Sequence, residues 1–334
     1  MKKNIISLAK IPDLIISKVY LRFFQEKNSL LIFNFHGLFN NKKEINQNLV
    51  DPQTWITTNQ FQQFLEYFLK HNYSFVSIND ILDGLDINNK YIMITFDDGY
   101  YNNNYALPIL KKYQIPALFF ISTNHIKQNK CFWWDIIYRE RIKSRTSKKE
   151  IVYEQNQLKS KTNEEIEQYI IEKFGEKAFE PKSDIDRPFT TSELKNFSKE
   201  KYVFLGNHTH NHAILTNCSS NEIKTQILEA QKFIKDNTEI TPKAISYPNG
   251  DYSDEIIKIS KEIGIELGIT TEYRKNKLPI NHQTNNIMNL GRFDLSGNNN
   301  IINQCKLFRS DIILYMYFKK FINKKHIKNR YKYY

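Results

Sequence analysis

Two hydrophobic patterns alternate along this chain. Short, mainly apolar runs at residues 29–35, 74–76, 91–94, 117–121, 202–205, 244–246, 265–269 and 287–293 predict strands, and the run at 91–94 reads as buried on both faces, as in a parallel sheet. Between them lie helical stripes. Phe61, Phe64, Leu65, Phe68 and Leu69 follow the i, i+3, i+4, i+7, i+8 rule of a core-facing helix, and further helices are expected near 79–85, 101–113, 191–197, 220–236 and 253–263. Pro108 is an awkward interior residue in the third of these and predicts a kink. Near the N-terminus, Ile11, Leu14, Ile15, Val19 and Phe23 make an amphipathic face. Pro12 suggests that this helix starts close to it, and the face is expected to pack on the body rather than lie on a membrane.

The strand–helix alternation pauses at residues 125–190. This Lys/Glu/Gln-rich stretch opens on the aromatic cluster Phe132, Trp133, Trp134 and predicts a helical insertion, a lid or a solvated hairpin. The organisation expected is an amphipathic extension at 1–27, a main domain at 28–295 interrupted by that insertion, and a basic helical extension at 296–334.

With 40% apolar residues and 14% aromatics, the 334-residue chain can build one large α/β barrel or two smaller domains. Cys131, Cys218 and Cys305 are odd in number and far apart, which argues against a disulfide framework or a CxxC metal site. The apolar N-terminal residues are interrupted by Lys10, Asp13, Lys18 and Arg22, unlike a secretory signal, so a cytoplasmic protein is expected. The net charge of +12 is concentrated in the last segment, from Lys319 to Lys332. It suits acidic partners such as an anionic membrane surface, whereas no nucleic-acid recognition motif accompanies it.

Two stretches carry chemistry. The run ending in Thr95-Phe96 breaks into Asp97-Asp98-Gly99, at the strand end where α/β folds place their sites. Adjacent carboxylates need positive charge nearby to stay ionised, and a metal would supply it, although Asp-Asp-Gly also suits an ordinary turn. The second stretch, His208-Thr209-His210-Asn211-His212, follows another buried strand. His208 and His212, at i and i+4, can face one side of a helical turn and reach one ion, with His210 pointing elsewhere. One carboxylate and two imidazoles leave open positions for water and substrate, as a catalytic site requires.

These two stretches, with the chain around Phe61 to Val76 and Tyr105 to Phe120, resemble the polysaccharide deacetylases of the NodB-homology type, carbohydrate esterase family 4. The resemblance covers about residues 28–294 apart from the insertion, in a style similar to the poly-N-acetylglucosamine deacetylase branch. It implies a deformed (β/α)7-type barrel, with Asp97 as general base and Asp98, His208 and His212 as ligands of a divalent metal, Zn2+ or else Co2+ or Ni2+. The family's third motif, Arg-x-Pro-Tyr-Gly, stands here as Ser246-Tyr247-Pro248-Asn249-Gly250. Asn249 could still offer a backbone N–H to an oxyanion, and Arg292, at the end of the last strand, could steady Asp97 in place of the missing arginine. The family's late Leu-x-His motif is not evident. His36 after the first strand is the candidate general acid, with His210 and His282 as lesser ones.

The resemblance implies an N-acylated amino sugar as substrate, in a glycan or in a lipid- or nucleotide-linked precursor. The interrupted N-terminal run, unlike an export signal, favours the intracellular precursor over a secreted polymer, and the basic amphipathic ends favour a lipid-phosphate carrier at the inner membrane surface. Two rival readings are a deformylase of a lipid-linked formamido sugar and an inactive glycan-binding relative. Intact Asp97, Asp98, His208 and His212 argue against the second.

Overall fold

The computed structural model describes residues 2–51, 55–280 and 285–312. Its strands are β1 (Ser29–Phe35), β2 (Leu38–Phe39), β3 (Ile56–Thr57), β4 (Ser74–Phe75), β5 (Tyr91–Phe96), β6 (Ala117–Ile121), β7 (Val203–Asn207), β8 (Ala244–Ser246), β9 (Leu267–Ile269), β10 (Asn276–Lys277) and β11 (Phe293–Asp294). One sheet runs in the order β10-β1-β5-β6-β7-β8-β9, with β4 beside the start of β5 and β11 beside β1. Every pairing in it is parallel except that of β1 with β10. Leu290 bridges Ile269 at the end of β9, and three residues later Phe293 pairs with Phe33 of β1. The segment 290–294 thus joins the two ends of the sheet, which curls into the deformed barrel expected from the sequence.

The apolar runs form strands because both faces find cover. Leu31, Phe33 and Phe35 of β1 pack with Phe61, Phe64 and Phe68 of the helix Thr58–Lys70, while Leu30 and Ile32 join Val76, Ile78 and Ile81 on the other face. That helix starts at a capping box in which Thr57 and Gln60 satisfy each other's backbone N–H groups. On β7, Gly206 leaves room for its neighbour on β6: a Cβ there would stand 2.4 Å from the Phe120 ring.

Several local expectations change. Residues 101–106 form a 3-10 turn, and the helix proper is Leu107–Tyr113, so Pro108 falls in its first turn, where the missing N–H costs nothing and no kink is needed. The strand expected over 287–293 is mostly a 3-10 turn (Asn285–Asn289) followed by the two residues of β11. The N-terminal helix spans Lys2–Phe23 and extends through Pro12 instead of starting there. It packs against the C-terminal helix Ile301–Arg309, but Ile15, Val19 and Phe23 point outward, opposite to the packing face expected.

Residues 125–190 hold the helices Trp133–Lys143, Lys148–Leu158 and Asn163–Phe174, with their own apolar cluster around Ile137, Ile151 and Ile170. A buried ion pair, Arg139 to Asp186 at 2.7 Å, fastens the first of these helices to the end of the stretch, where the chain returns to the barrel. Of the basic C-terminal extension, residues 313–334 lie outside the described residues.

Candidate active site

Parallel strands end on one rim of the barrel, and the polar residues at those ends converge there. Asp97 and Asp98 follow β5 directly and are 3% and 1% exposed. The Asp97 N–H donates to the Phe35 carbonyl, continuing the β1–β5 ladder one residue further. Asp98 then takes a left-handed conformation (φ 75°), as does Gly99 (φ 86°), so that the two carboxylates diverge.

Arg292, two residues after the Leu290 bridge, is buried and grips Asp97 with a fork. Its Nη1 donates to Asp97 Oδ1 at 2.9 Å and its Nη2 to Oδ2 at 2.5 Å, while Nη1 also reaches Asn34 Oδ1 at 3.0 Å. Burial alone would raise the Asp97 carboxyl, but the Arg292 guanidinium and then His208 bring it below the ordinary carboxylate range.

The histidine stretch is a loop and not the helical turn expected. Thr209 (φ 63°) and His212 (φ 54°) are both left-handed, and side chains hold the bend: Asn207 Oδ1 accepts from the Thr209 N–H, and Thr209 Oγ1 accepts from the Ala213 N–H. The loop nevertheless brings the His208 and His212 rings to 4.7 Å, edge to face. Each Nε2 lies 3.3 Å from Asp98 Oδ1. His210 turns the other way, towards Thr123 and Glu229.

The chemistry of this donor set fits a cation. His208 Nδ1 lies 2.8 Å from the Ser246 carbonyl, which can only accept, so in the neutral ring Nδ1 carries the proton and Nε2 is left with its lone pair facing Asp98. Asp98 Oδ1 is buried without a hydrogen-bond partner among the described residues. Ligand atoms of Asp98, His208 and His212 all lie within 4.8 Å of one another. Acceptors facing one another in a buried pocket are stable only with positive charge between them.

His36 lies just beyond β1, partly exposed, with Nε2 4.0 Å from Asp98 Oδ2. Its backbone carbonyl accepts from Asn103 Nδ2 at 2.5 Å. Asn249 occupies a left-handed position (φ 59°) in the turn after β8. Its side-chain oxygen accepts from Lys159 Nζ at 3.0 Å and its amide donates to Asp251 at 2.6 Å. Both residues border the cleft of about 820 Å³ above the carboxylates, to which the insertion contributes Asn156 and Lys159 and the C-terminal stretch Asn299 and Asn303. His282 lies outside the described residues.

Sequence reasoning missed three neighbours. Trp134 packs its ring 4.6 Å from that of His212, with its Nε1–H fixed by the Tyr100 hydroxyl, which in turn donates to the buried Asp135. The Ser246 carbonyl sets the His208 tautomer, and Lys159 reaches Asn249 from the insertion. The Trp133-Trp134 pair was the one visible signal, because aromatic residues at the start of a polar excursion need a body to pack on.

A model of the polysaccharide deacetylase family matches residues 85–268, a span that includes Asp97, Asp98, His208, His212 and Asn249 but neither His36 nor Arg292. The poly-beta-1,6-N-acetyl-D-glucosamine N-deacetylase of Staphylococcus aureus (strain MSSA476) is 26% identical over 262 residues, 77% of this chain and 72% of that protein. The enzyme of the same name from Staphylococcus epidermidis is 23% identical over 265 residues, 74% of each. Among solved structures, the Streptococcus pyogenes deacetylase PplD in complex with acetate superimposes with a TM-score of 0.58 at 18% identity, covering 84% of this chain and 99% of that one. IcaB from Ammonifex degensii gives 0.57 at 14% identity, covering 85% and 98%. This chain belongs to the polysaccharide deacetylase family and is a carbohydrate N-deacetylase, a hydrolase of amide bonds.

Proposed function

We propose that this chain removes N-acetyl groups from a glycan built of N-acetylglucosamine, with the help of a divalent metal. The observation that carries the reading is the convergence of Asp98, His208 and His212 beside an aspartate clamped by Arg292. The named activity of the staphylococcal relatives supplies the sugar. An open cleft with amide side chains from two separate stretches is suited to a chain of sugars rather than to a single one.

A cation held by Asp98 Oδ1, His208 Nε2 and His212 Nε2 would supply Lewis acidity towards the acyl carbonyl and the attacking water; two imidazoles and a carboxylate suit Zn2+, with Co2+ or Ni2+ as alternatives. Asp97, kept ionised by Arg292, accepts the proton of that water. The Asn249 backbone N–H steadies the oxyanion as it develops. His36, protonated, delivers a proton to the leaving amine.

The test is release of free amine by the purified, metal-loaded chain from a panel: β-1,6-linked N-acetylglucosamine oligomers, the monosaccharide, N-formyl analogues, and lipid- and nucleotide-linked N-acetyl sugars. Turnover of the oligomers well above all other members is expected. Faster cleavage of formyl substrates would establish a deformylase instead, preference for a linked precursor would remove the polymer assignment, and tight oligomer binding with no amine released would identify a glycan-binding relative.

A further inference from the structure

Over its described side chains, the N-terminal helix buries polar groups against the body and leaves an apolar stripe on its outer side. Asp13 and Ser17 are fully buried, and the Tyr20 hydroxyl donates to Asp311 Oδ2 at 2.8 Å on the inner side. On the outer side Ile15 is 58% exposed, Val19 51% and Phe23 70%, with Phe24 at 63% just after the helix. Residues 15, 19 and 23 recur every four positions and therefore form one stripe along the helix. An amphipathic helix in water buries such a stripe, and a contiguous exposed one marks a contact surface.

Charge on this face identifies what covers it. Lys18 and Arg22 flank the stripe, and both are exposed. The acidic residues of the first 27 are Asp13, which is buried, and Glu26, which is held by Arg309 and Lys90. Asp311, near the end of the described residues, also accepts from the Lys27 N–H just after this helix. Residues 313–334 contain seven Lys and Arg and no Asp or Glu. A second copy of this chain would set like charges against one another, whereas anionic phospholipid offers both apolar tails and the opposite charge.

We propose that the face formed by Ile15, Val19 and Phe23, with Lys18 and Arg22 beside it, binds an anionic phospholipid surface. The helix lies in the plane of the interface, its apolar residues entering the acyl boundary and its basic stems reaching back to the headgroups. Leu14, adjacent to the stripe, lines the catalytic cleft. The rim of the cleft is thereby held within about one helix diameter, roughly 10 Å, of the lipid.

The experiment is sedimentation of the full chain with vesicles of phosphatidylcholine alone and of phosphatidylcholine with roughly one third phosphatidylglycerol, at low and high salt. Binding to the anionic vesicles on the order of ten-fold stronger, and weakened by salt, is expected. Ile15→Ser/Val19→Ser/Phe23→Ser should reduce it to background and Lys18→Glu/Arg22→Glu by at least about ten-fold, both with unaltered thermal melting. No binding by the wild-type chain, equal binding to both vesicles, or binding indifferent to both sets of substitutions would overturn the proposal. So would a wild-type dimer that the triple variant dissociates, which would assign the stripe to a second copy. None of these readouts requires turnover, so they stand or fall separately from the substrate assignment.

Discussion

Arg292→Met is the sharpest test of how the site works. The substitution keeps an apolar stem and removes the fork that holds both oxygens of Asp97. Unit charges about 4 Å apart at an effective dielectric of about 20 attract by about 4 kcal/mol, or roughly a thousand-fold in a protonation equilibrium. In the wild type this attraction overcomes the burial that would otherwise raise the carboxyl. Without it burial prevails, Asp97 holds its proton to higher pH, and a base that works only when ionised is lost from the acid side. We expect kcat/KM at pH 7 to fall by on the order of 10²–10³, the acidic limb of the pH profile to move upward, and part of the loss to be recovered at alkaline pH. Arg292→Lys, which restores the charge without the planar fork, should fall between the two. The assay is amine release from an N-acetylglucosamine oligomer across the pH range, with bound metal measured in parallel. A rate within about three-fold of wild type with an unmoved acidic limb would refute the electrostatic argument. An equal loss at every pH would show that Arg292 only positions Asp97.

Other perturbations separate other parts of the structure. Asp97→Asn should abolish turnover while retaining bound metal, whereas Asp98→Asn should lose the metal, as read by elemental analysis; the reverse pattern would exchange the two roles. Gly206→Ala forces a methyl against the Phe120 ring and should cost about 1–3 kcal/mol in denaturant unfolding. Glu26, engaged by Arg309, Lys90 and the Tyr73 hydroxyl, has its carboxyl lowered to about 2 despite burial that pushes it up. A depressed carboxyl stabilises the fold above its unfolded value, near 4.5, and loses that contribution as pH falls towards 2. At 1.36 kcal/mol per pH unit this is about 3 kcal/mol, reduced by solvent screening to about 2. Glu26→Gln should therefore be less stable than wild type at pH 7, and the gap should narrow below about pH 4.5 and close near pH 2 in melts followed by circular dichroism.

How much the sequence discloses depends on the distance over which each feature is decided. Asp97, Asp98, His208 and His212 were legible because each pair sits within a few residues of a strand end, and strand ends meet on one rim. Their local conformation was not: i, i+4 spacing suggested a helical turn, but Asn207 and Thr209 hold a left-handed bend instead. Arg292 could be named as a candidate, yet its contact with Asp97 spans 195 residues and depends on the segment from Leu290 crossing to β1. Pro108 misled because a 3-10 turn precedes its helix and shifts the proline into the first turn. The N-terminal helix was read as amphipathic, but periodicity says nothing about which side meets the body. Asp13, Ser17 and Tyr20 decided that through long-range contacts invisible in the local pattern.

The stave that carries Arg292 gives this molecule an order of assembly. A chain folding from its N-terminus can bring Asp98, His208 and His212 together once β8 is in place, because His208 leans on the Ser246 carbonyl. Asp97 must wait for residues 290–294 to pair with β9 and β1, the contact of longest sequence separation in the barrel and the one with the greatest loop entropy to overcome. Without that closure Asp97 has no guanidinium beside it. On the proposed mechanism, the residue that keeps Asp97 ionised is also the one whose place depends on closing the barrel, so competence for chemistry is tied to that closure.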